Sequence, residues 1–235
     1  MQLFYLPQLP ESGVLDAEEA NHATKVLRKR VGDELWATDG RGTRYRTRLV
    51  EAQAKRAEVE IVEKMPSTKS RPWLHLVIAP TKNLDRMEWM VEKAVELGVA
   101  EIHFILTEHS ERKVLKLERL QRKAISAMKQ SLKDWAPTLF PLTPWTDWLD
   151  THQETGGFIA HLEGDNTPHL FNALTANLSS WVLIGPEGGF SDGEIAAALS
   201  KDMKPVSLGS ERLRTETAGL AAAQLVALKN ELDIL

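Results

Sequence analysis

The chain has 235 residues, 43% of them hydrophobic and 26% charged, with a formal net charge of −4; these are ordinary globular values and leave room for one large domain or two modest ones. It contains no cysteine, which excludes a disulfide framework and cysteine-ligated zinc or iron–sulfur sites and fits a reducing cytoplasm. Gln2-Leu3-Phe4-Tyr5 followed by Pro7 offers neither a basic leader nor a long apolar run, so we expect no signal peptide, no membrane span and a cytoplasmic location.

Asp16 to Arg30 has helical spacing, with Asp16 as N-cap and Glu19 completing an Asp-x-x-Glu box. Glu34–Thr38 and Tyr45–Val50 read as strands around the turn Asp39-Gly40-Arg41-Gly42, a hairpin signal. Ala57–Val62 alternates apolar and polar residues, as a half-buried strand does. Together these predict a small β-barrel over residues 1–70. Met65-Pro66-Ser67-Thr68-Lys69-Ser70-Arg71-Pro72 is polar and bracketed by prolines, a linker composition.

Beyond it the pattern changes. Trp73–Ala79 is an apolar strand, Asn83–Leu97 a helix stopped by Gly98, Ile102–Leu106 a strand and Val114–Leu132 a long basic helix. Trp135–Trp148, with three prolines, reads as an irregular connection. Phe158–Leu162, Trp181–Ile184 and Pro205–Leu208 are further strands; Ser191 caps a helix through Glu194, and Thr217–Leu232 is a closing helix. Apolar strands alternating with helices predict an α/β domain with a mostly parallel sheet over residues 72–235.

The net charge gives no hint of nucleic acid, but its distribution does. Between Arg112 and Lys133 eight basic residues face Glu118 alone, and between Asn21 and Arg48 another eight face Asp33, Glu34 and Asp39. Two basic runs on an acidic whole suit phosphate binding, with a pair of solvated faces as the plainer reading.

Ligands of open α/β sheets bind beyond the carboxyl ends of the strands. Gly185, Gly188 and Gly189 in Gly185–Phe190 permit positive φ and close backbone approach to a ligand; the alternative is a tight turn into the helix capped at Ser191. The loop is neither G-x-G-x-x-G nor a P-loop, and Glu187 repels a triphosphate but not a sulfonium cation. Arg214, Thr215, Glu216 and Thr217 crowd one turn before a helix whose Ala218, Gly219, Ala221, Ala222 and Ala223 make a small-residue face. Thr217 as an N-cap explains part of that run. The small face predicts close packing by a knotted chain segment or a second subunit. The seven histidines have no metal-ligand spacing and no metal is expected; no G-x-S-x-G elbow is present.

Leu183-Ile184-Gly185-Pro186-Glu187-Gly188-Gly189-Phe190, and Leu208-Gly209 followed by Leu213-Arg214-Thr215-Glu216-Thr217-Ala218, resemble the cofactor motifs of the RsmE family, SPOUT-class methyltransferases of 16S ribosomal RNA. The likeness runs through His22 with Val26-Leu27-Arg28, Gly32-Asp33, Asp39-Gly40, Lys93 with Glu96-Leu97-Gly98-Val99, and Gln130-Ser131 before Pro137. It implies a PUA-like N-terminal barrel, a C-terminal α/β domain with a trefoil knot, a homodimer, S-adenosyl-L-methionine as methyl donor, and N3 of a uridine in the small ribosomal subunit as target. Carried onto this chain, Leu162, Glu163, Leu183, Ile184, Gly185, Glu187, Gly188, Gly189, Leu208, Leu213, Arg214, Thr215 and Thr217 would hold the donor. Arg214 would polarise a uracil carbonyl or hold a phosphate, with Glu216 the candidate base. His22, Arg28, Arg30, Arg112, Lys129 and Lys133 would grip RNA. The chain departs from the family at Gln2, at Lys129-Gln130-Ser131-Leu132-Lys133, and at Glu211-Arg212, where a basic–isoleucine pair is commoner. A non-catalytic RNA-binding factor and a ribose 2′-OH methyltransferase are the competing readings.

Overall fold

The computed structural model describes residues 2–67, 74–152, 157–161 and 166–232. The chain forms two compact units: Met1–Arg71 with Ile125–Ala136, and Pro72–Ala124 with Pro137–Leu235.

In the first unit, strands β1 (Leu3–Tyr5), β2 (Val14–Leu15), β3 (Glu34–Thr38), β4 (Thr43–Gln53) and β5 (Arg56–Pro66) make one sheet in the order β1-β3-β4-β5-β2. The β3–β4 turn is the expected one. Asp39 Oδ1 accepts the Arg41 and Thr43 N–H groups at 2.7 and 3.2 Å, and Gly40 and Gly42 have positive φ. A side chain at Gly42 would strike the Trp135 ring. The β4–β5 pair is longer than its alternation suggested and bends at two register shifts, as bulged hairpins do. Phe4, Leu6, Leu9, Leu35, Tyr45 and Leu49 form the buried core.

Asp16 caps helix α1 (Ala17–Asn21) by accepting from Glu19 N–H at 2.8 Å, but the helix does not reach Arg30. It gives way to a π-helical turn, His22–Val26, and Arg28 then adopts φ +55°, a left-handed conformation that ends helices. The capping box is half made. Glu19 instead uses Oε1 to accept from Tyr5 N–H at 3.3 Å and from Lys129 Nζ at 2.6 Å.

The second unit is built on six parallel strands in the order β11-β9-β10-β6-β7-β8. They are β6 (Leu74–Ile78), β7 (Val99–Leu106), β8 (Thr138–Pro144), β9 (Gly157–Ala160), β10 (Ser180–Ile184) and β11 (Met203–Val206), with helices α2 (Leu84–Glu96), α3 (Leu117–Gln130), α4 (Trp145–Thr151), α5 (Leu170–Ala173), α6 (Asp192–Leu199) and α7 (Thr215–Leu232) among them. Asn83 caps α2, Gly98 ends it at φ +90°, and Ser191 with Glu194 makes a complete capping box on α6.

The stretch read as irregular is a strand and a helix. Pro141 and Pro144 fit β8 because it is an edge strand paired only with β7. Trp145, Trp148 and Leu149 form the buried face of α4. The closing helix starts at Thr215 rather than Thr217: the Arg214 carbonyl already accepts from Ala218 N–H at 2.8 Å, so Thr217 is an exposed helical residue. Its small-residue face packs on its own unit. A Cβ at Gly219 would lie 3.0 Å from Ile78 of β6 and 3.6 Å from Met90 of α2.

Candidate active site

Because β9 lies between β10 and β11, the carboxyl ends of these three strands open onto one place. A cavity of about 510 Å³ sits there, within the range of small-ligand sites. Ala160 and His161 line it from β9. Ile184, Gly185, Pro186, Glu187, Gly188, Gly189 and Phe190 line it from the β10 exit, and Val206, Ser207, Leu208, Gly209, Glu211, Arg212, Leu213, Thr215 and Ala218 from the β11 exit.

Each wall has a local cause. The β10 loop closes tightly, with Gly189 N–H donating to the Pro186 carbonyl at 2.9 Å while Gly189 takes φ +74°. A Cβ at Gly185 would come within 3.1 Å of the Phe190 ring, and one at Gly188 within 3.0 Å of His109, so both positions exclude larger residues. Gly209 takes φ +131°, and Ser207 Oγ accepts its N–H at 3.1 Å. The two loops are joined directly, since Thr215 Oγ1 donates to the Gly185 carbonyl at 3.1 Å.

A third loop, after β7, braces this arrangement. His109 Nδ1 lies 3.1 Å from the Gly189 carbonyl, and Glu108 N–H donates to Glu194 Oε1 at 2.9 Å. Sequence reasoning missed both contacts, which join residues some eighty positions apart and carry no local signature.

The lining is mostly backbone and small or apolar side chains, with the exposed carboxylates of Glu187 and Glu211 and the single guanidinium of Arg212. Such a wall presents N–H and C=O groups to a planar polar ligand and favours a cation over a polyphosphate. The observation tests the donor implied by the motifs: an adenine and a sulfonium fit this set, whereas a nucleoside triphosphate does not.

Residues 68–227 match the family described as RNA methyltransferase domain, and residues 15–62 match the RNA methyltransferase PUA domain. The chain belongs to the RsmE family of RNA methyltransferases. A probable rRNA methyltransferase from Porphyromonas gingivalis is 41% identical over 99% of this chain and 100% of its own, with a TM-score of 0.90. Ribosomal RNA small subunit methyltransferase E from Neisseria gonorrhoeae, solved bound to S-adenosyl methionine, is 30% identical over 95% of each chain with a TM-score of 0.81. The Synechocystis protein of the same name is 31% identical over 91% of this chain and 72% of its own.

Not every residue singled out from the sequence reaches the cavity. Leu162 and Glu163 lie outside the described residues. Leu183 is buried in the core against α4 and α6 residues, and Thr217 points to solvent from α7. Arg214 is exposed between two lining residues, with no side-chain partner among the described residues. Glu216 is 6% exposed and its Oε1 lies 3.6 Å from Arg86; the carboxylate is committed to an ion pair beneath the loop and not presented to the cavity.

The basic runs divide in the same way. In the first, Arg41 donates to the Pro7 and Leu9 carbonyls, Arg44 pairs with Asp134, Arg46 with Glu34 and Glu63, and Arg48 with Glu60. His22 packs on Phe4. Lys25, Arg28 and Arg30 are exposed, with no side-chain partner among the described residues. In the second, Arg112 donates to the carbonyls of Thr81, Lys82 and Val114, Arg119 pairs with Asp85 and Glu88, Lys123 with Glu92, and Lys129 with buried Glu19. Lys133 is half-buried and engaged. Lys113, Lys116 and Arg122 remain exposed and unpaired among the described residues.

Proposed function

We propose that the chain methylates N3 of a specific uridine in 16S ribosomal RNA, using S-adenosyl-L-methionine. The observation that carries this reading is the cavity at three strand exits, whose two walls are the family's cofactor loops tied together by Thr215 and Gly185. When bound, the donor supplies an electrophilic methyl group. Backbone groups of Gly185–Gly189 and Leu208–Gly209, with the apolar sides of Ile184, Leu208 and Leu213, would hold it and exclude water. Glu187 and Glu211 would favour its positive centre.

The uridine N3 proton has a pKa of about 9–10, so attack requires the proton to be taken or the developing anion stabilised. Arg214, exposed between the lining residues Leu213 and Thr215 and without a side-chain partner among the described residues, would polarise a uracil carbonyl or hold the adjacent phosphate. The base must be unstacked to reach the donor, which suits recognition of the folded RNA of the assembled small subunit by shape and phosphate. Lys25, Arg28 and Arg30 would supply phosphate contacts from the first unit, and Lys113, Lys116 and Arg122 from the run after β7.

The enzyme would act in the cytoplasm, where the ribosome is assembled, and as a homodimer. Supporting the dimer, α7 keeps Leu228 and Leu232 exposed away from its packed face. The trefoil knot implied by the resemblance belongs to the same reading.

The decisive experiment incubates the protein and donor with small subunits from a strain lacking this methylation, then maps the nucleoside by mass spectrometry. A 3-methyluridine is expected. A ribose 2′-O-methyl nucleoside would establish the competing enzyme class, and absence of donor binding in calorimetry the non-catalytic one. Arg214→Ala should lower turnover by about two orders of magnitude with donor affinity nearly unchanged; full turnover would remove Arg214 from the mechanism.

A further inference from the structure

The candidate base suggested by sequence position, Glu216, is buried and paired with Arg86, so the uridine proton needs another acceptor. Six of the seven histidines have structural engagements. His22 packs on Phe4, His109 meets the Gly189 carbonyl, and His169 caps α5 by accepting from Phe171 N–H. His75, His103 and His152 belong to one aromatic cluster. His161 is different. It leaves β9 between the two donor loops, lines the cavity, and fixes its backbone by donating N–H to the Val206 carbonyl at 3.2 Å. Its half-buried ring has no hydrogen bond, ion pair or ring contact among the described residues.

We propose that His161 is the residue that takes the N3 proton of the target uridine, a role that rests on the methyltransferase reading above. Among the described residues, the titratable and charged groups that line the cavity with it are Glu187 from the β10 loop and Glu211 and Arg212 from the β11 loop. Among these the choice is decided by proton affinity. An imidazole is intrinsically a stronger base than a carboxylate, so it takes the weakly acidic N3 proton with the smaller uphill step. Arginine is no acceptor at all.

The step balances. The N3–carbon bond forms as the carbon–sulfur bond breaks, its electron pair remaining on sulfur. The electrons of the N3–H bond stay on nitrogen, and the proton passes to the imidazole. The positive charge lost at sulfur reappears on the imidazolium, beside Glu187 and Glu211, and leaves as a proton to solvent.

The test compares wild type with His161→Asn and His161→Gln. Donor affinity is measured by calorimetry, and single-turnover methylation of unmethylated small subunits is followed from pH 6 to 10 at saturating donor. Donor Kd should stay within about threefold, while the rate near pH 7 falls by about 10²–10³-fold. The wild-type rate should rise with pH and level off once an imidazole is neutral. In the variants it should instead climb about tenfold per pH unit toward the uridine's own ionisation. Variants that keep the wild-type rate and its acidic limb would overturn the proposal. So would variants whose loss is confined to donor affinity and vanishes at saturation, which would make His161 a donor contact. A wild-type chain that neither binds the donor nor methylates subunits would instead overturn the functional reading, and the proposal with it.

Discussion

At the scale of single residues, the cavity depends on positions where a side chain is either forbidden or forms one bond that nothing else replaces. Thr215 is of the second kind. Its hydroxyl is the direct link between the β10 and β11 loops, and Thr215→Val keeps the shape while deleting it. A neutral hydrogen bond is worth about 1 kcal/mol, so donor Kd should rise roughly fivefold and Thr215→Ser should restore it. Calorimetry on the pair checks this; an unchanged Kd in the valine variant would show that the loops hold their spacing without the bridge. Gly189 is of the first kind. At φ +74° an alanine pays about 1–2 kcal/mol of backbone strain, and Gly189→Ala should lose donor affinity through a displaced loop even though open space surrounds the added methyl. These glycines were legible in the sequence because positive φ is written in residue type. The commitment of Glu216 to Arg86 was not. Its partner is 130 positions away, and the local run Arg214-Thr215-Glu216-Thr217 looks equally functional at every position.

Among elements, legibility followed the strength of the local signal. α2 carries a periodic apolar face and a side-chain cap, and its reading held to within a residue at each end; α6 starts where its capping box was read. β8 and α4 were hidden by prolines that an edge strand and a helix entry tolerate. α1 stopped short because Arg28 turns left-handed after a π-helical turn, something residue type does not announce. Charge was the most misleading local signal, since a run of arginines along β4 looks like a phosphate-binding stripe. On a strand, however, alternate residues meet cross-strand partners, and Arg46 finds Glu34 and Glu63 on its two neighbours. Arg28, on a turn, has no such neighbour among the described residues. This separates two otherwise similar substitutions. Arg28→Ala should lower affinity for small-subunit RNA and reduce the slope of log affinity against log salt by about 0.7–0.9, one released counterion. Arg46→Ala should leave that slope unchanged. Filter binding across a salt series distinguishes them, and equal slopes for both variants would mean that the β4 ion pairs open on RNA.

For the molecule as a whole, the chemistry at the carboxyl ends of the sheet is matched by a purely structural titratable cluster elsewhere in the same unit. Trp148 Nε1–H donates to His103 Nδ1 at 3.2 Å, which leaves His103 Nε2–H for Glu101 at 3.3 Å; Glu101 also accepts from His75 at 2.8 Å. The ring is stacked on Phe140 and edged by His152 and Trp181. Burial pushes the imidazole of His103 down to about 4, against the hydrogen bond to Glu101 and with His152 adding to the downward push. Burial also pushes the Glu101 carboxyl up, but the hydrogen bonds from His75 and His103 outweigh it and hold the group below its usual value. The signs agree. The unfolded chain binds a proton at His103 near pH 6.5 that the folded unit refuses until about pH 4, so stability declines as pH falls through that window. Glu101 contributes stability above its unfolded value that is lost as pH falls through its lower folded one. The full histidine contribution is about 3 kcal/mol, enough to matter in a marginally stable protein. Fluorescence of Trp148 and Trp181 during urea unfolding should therefore give a midpoint that drops steadily from pH 7 to 4.5. His103→Gln cannot titrate there, so its midpoint should start lower, because a cavity-filling ring is lost, but decline less steeply. A variant with the wild-type slope would place the acid sensitivity of this unit in other groups.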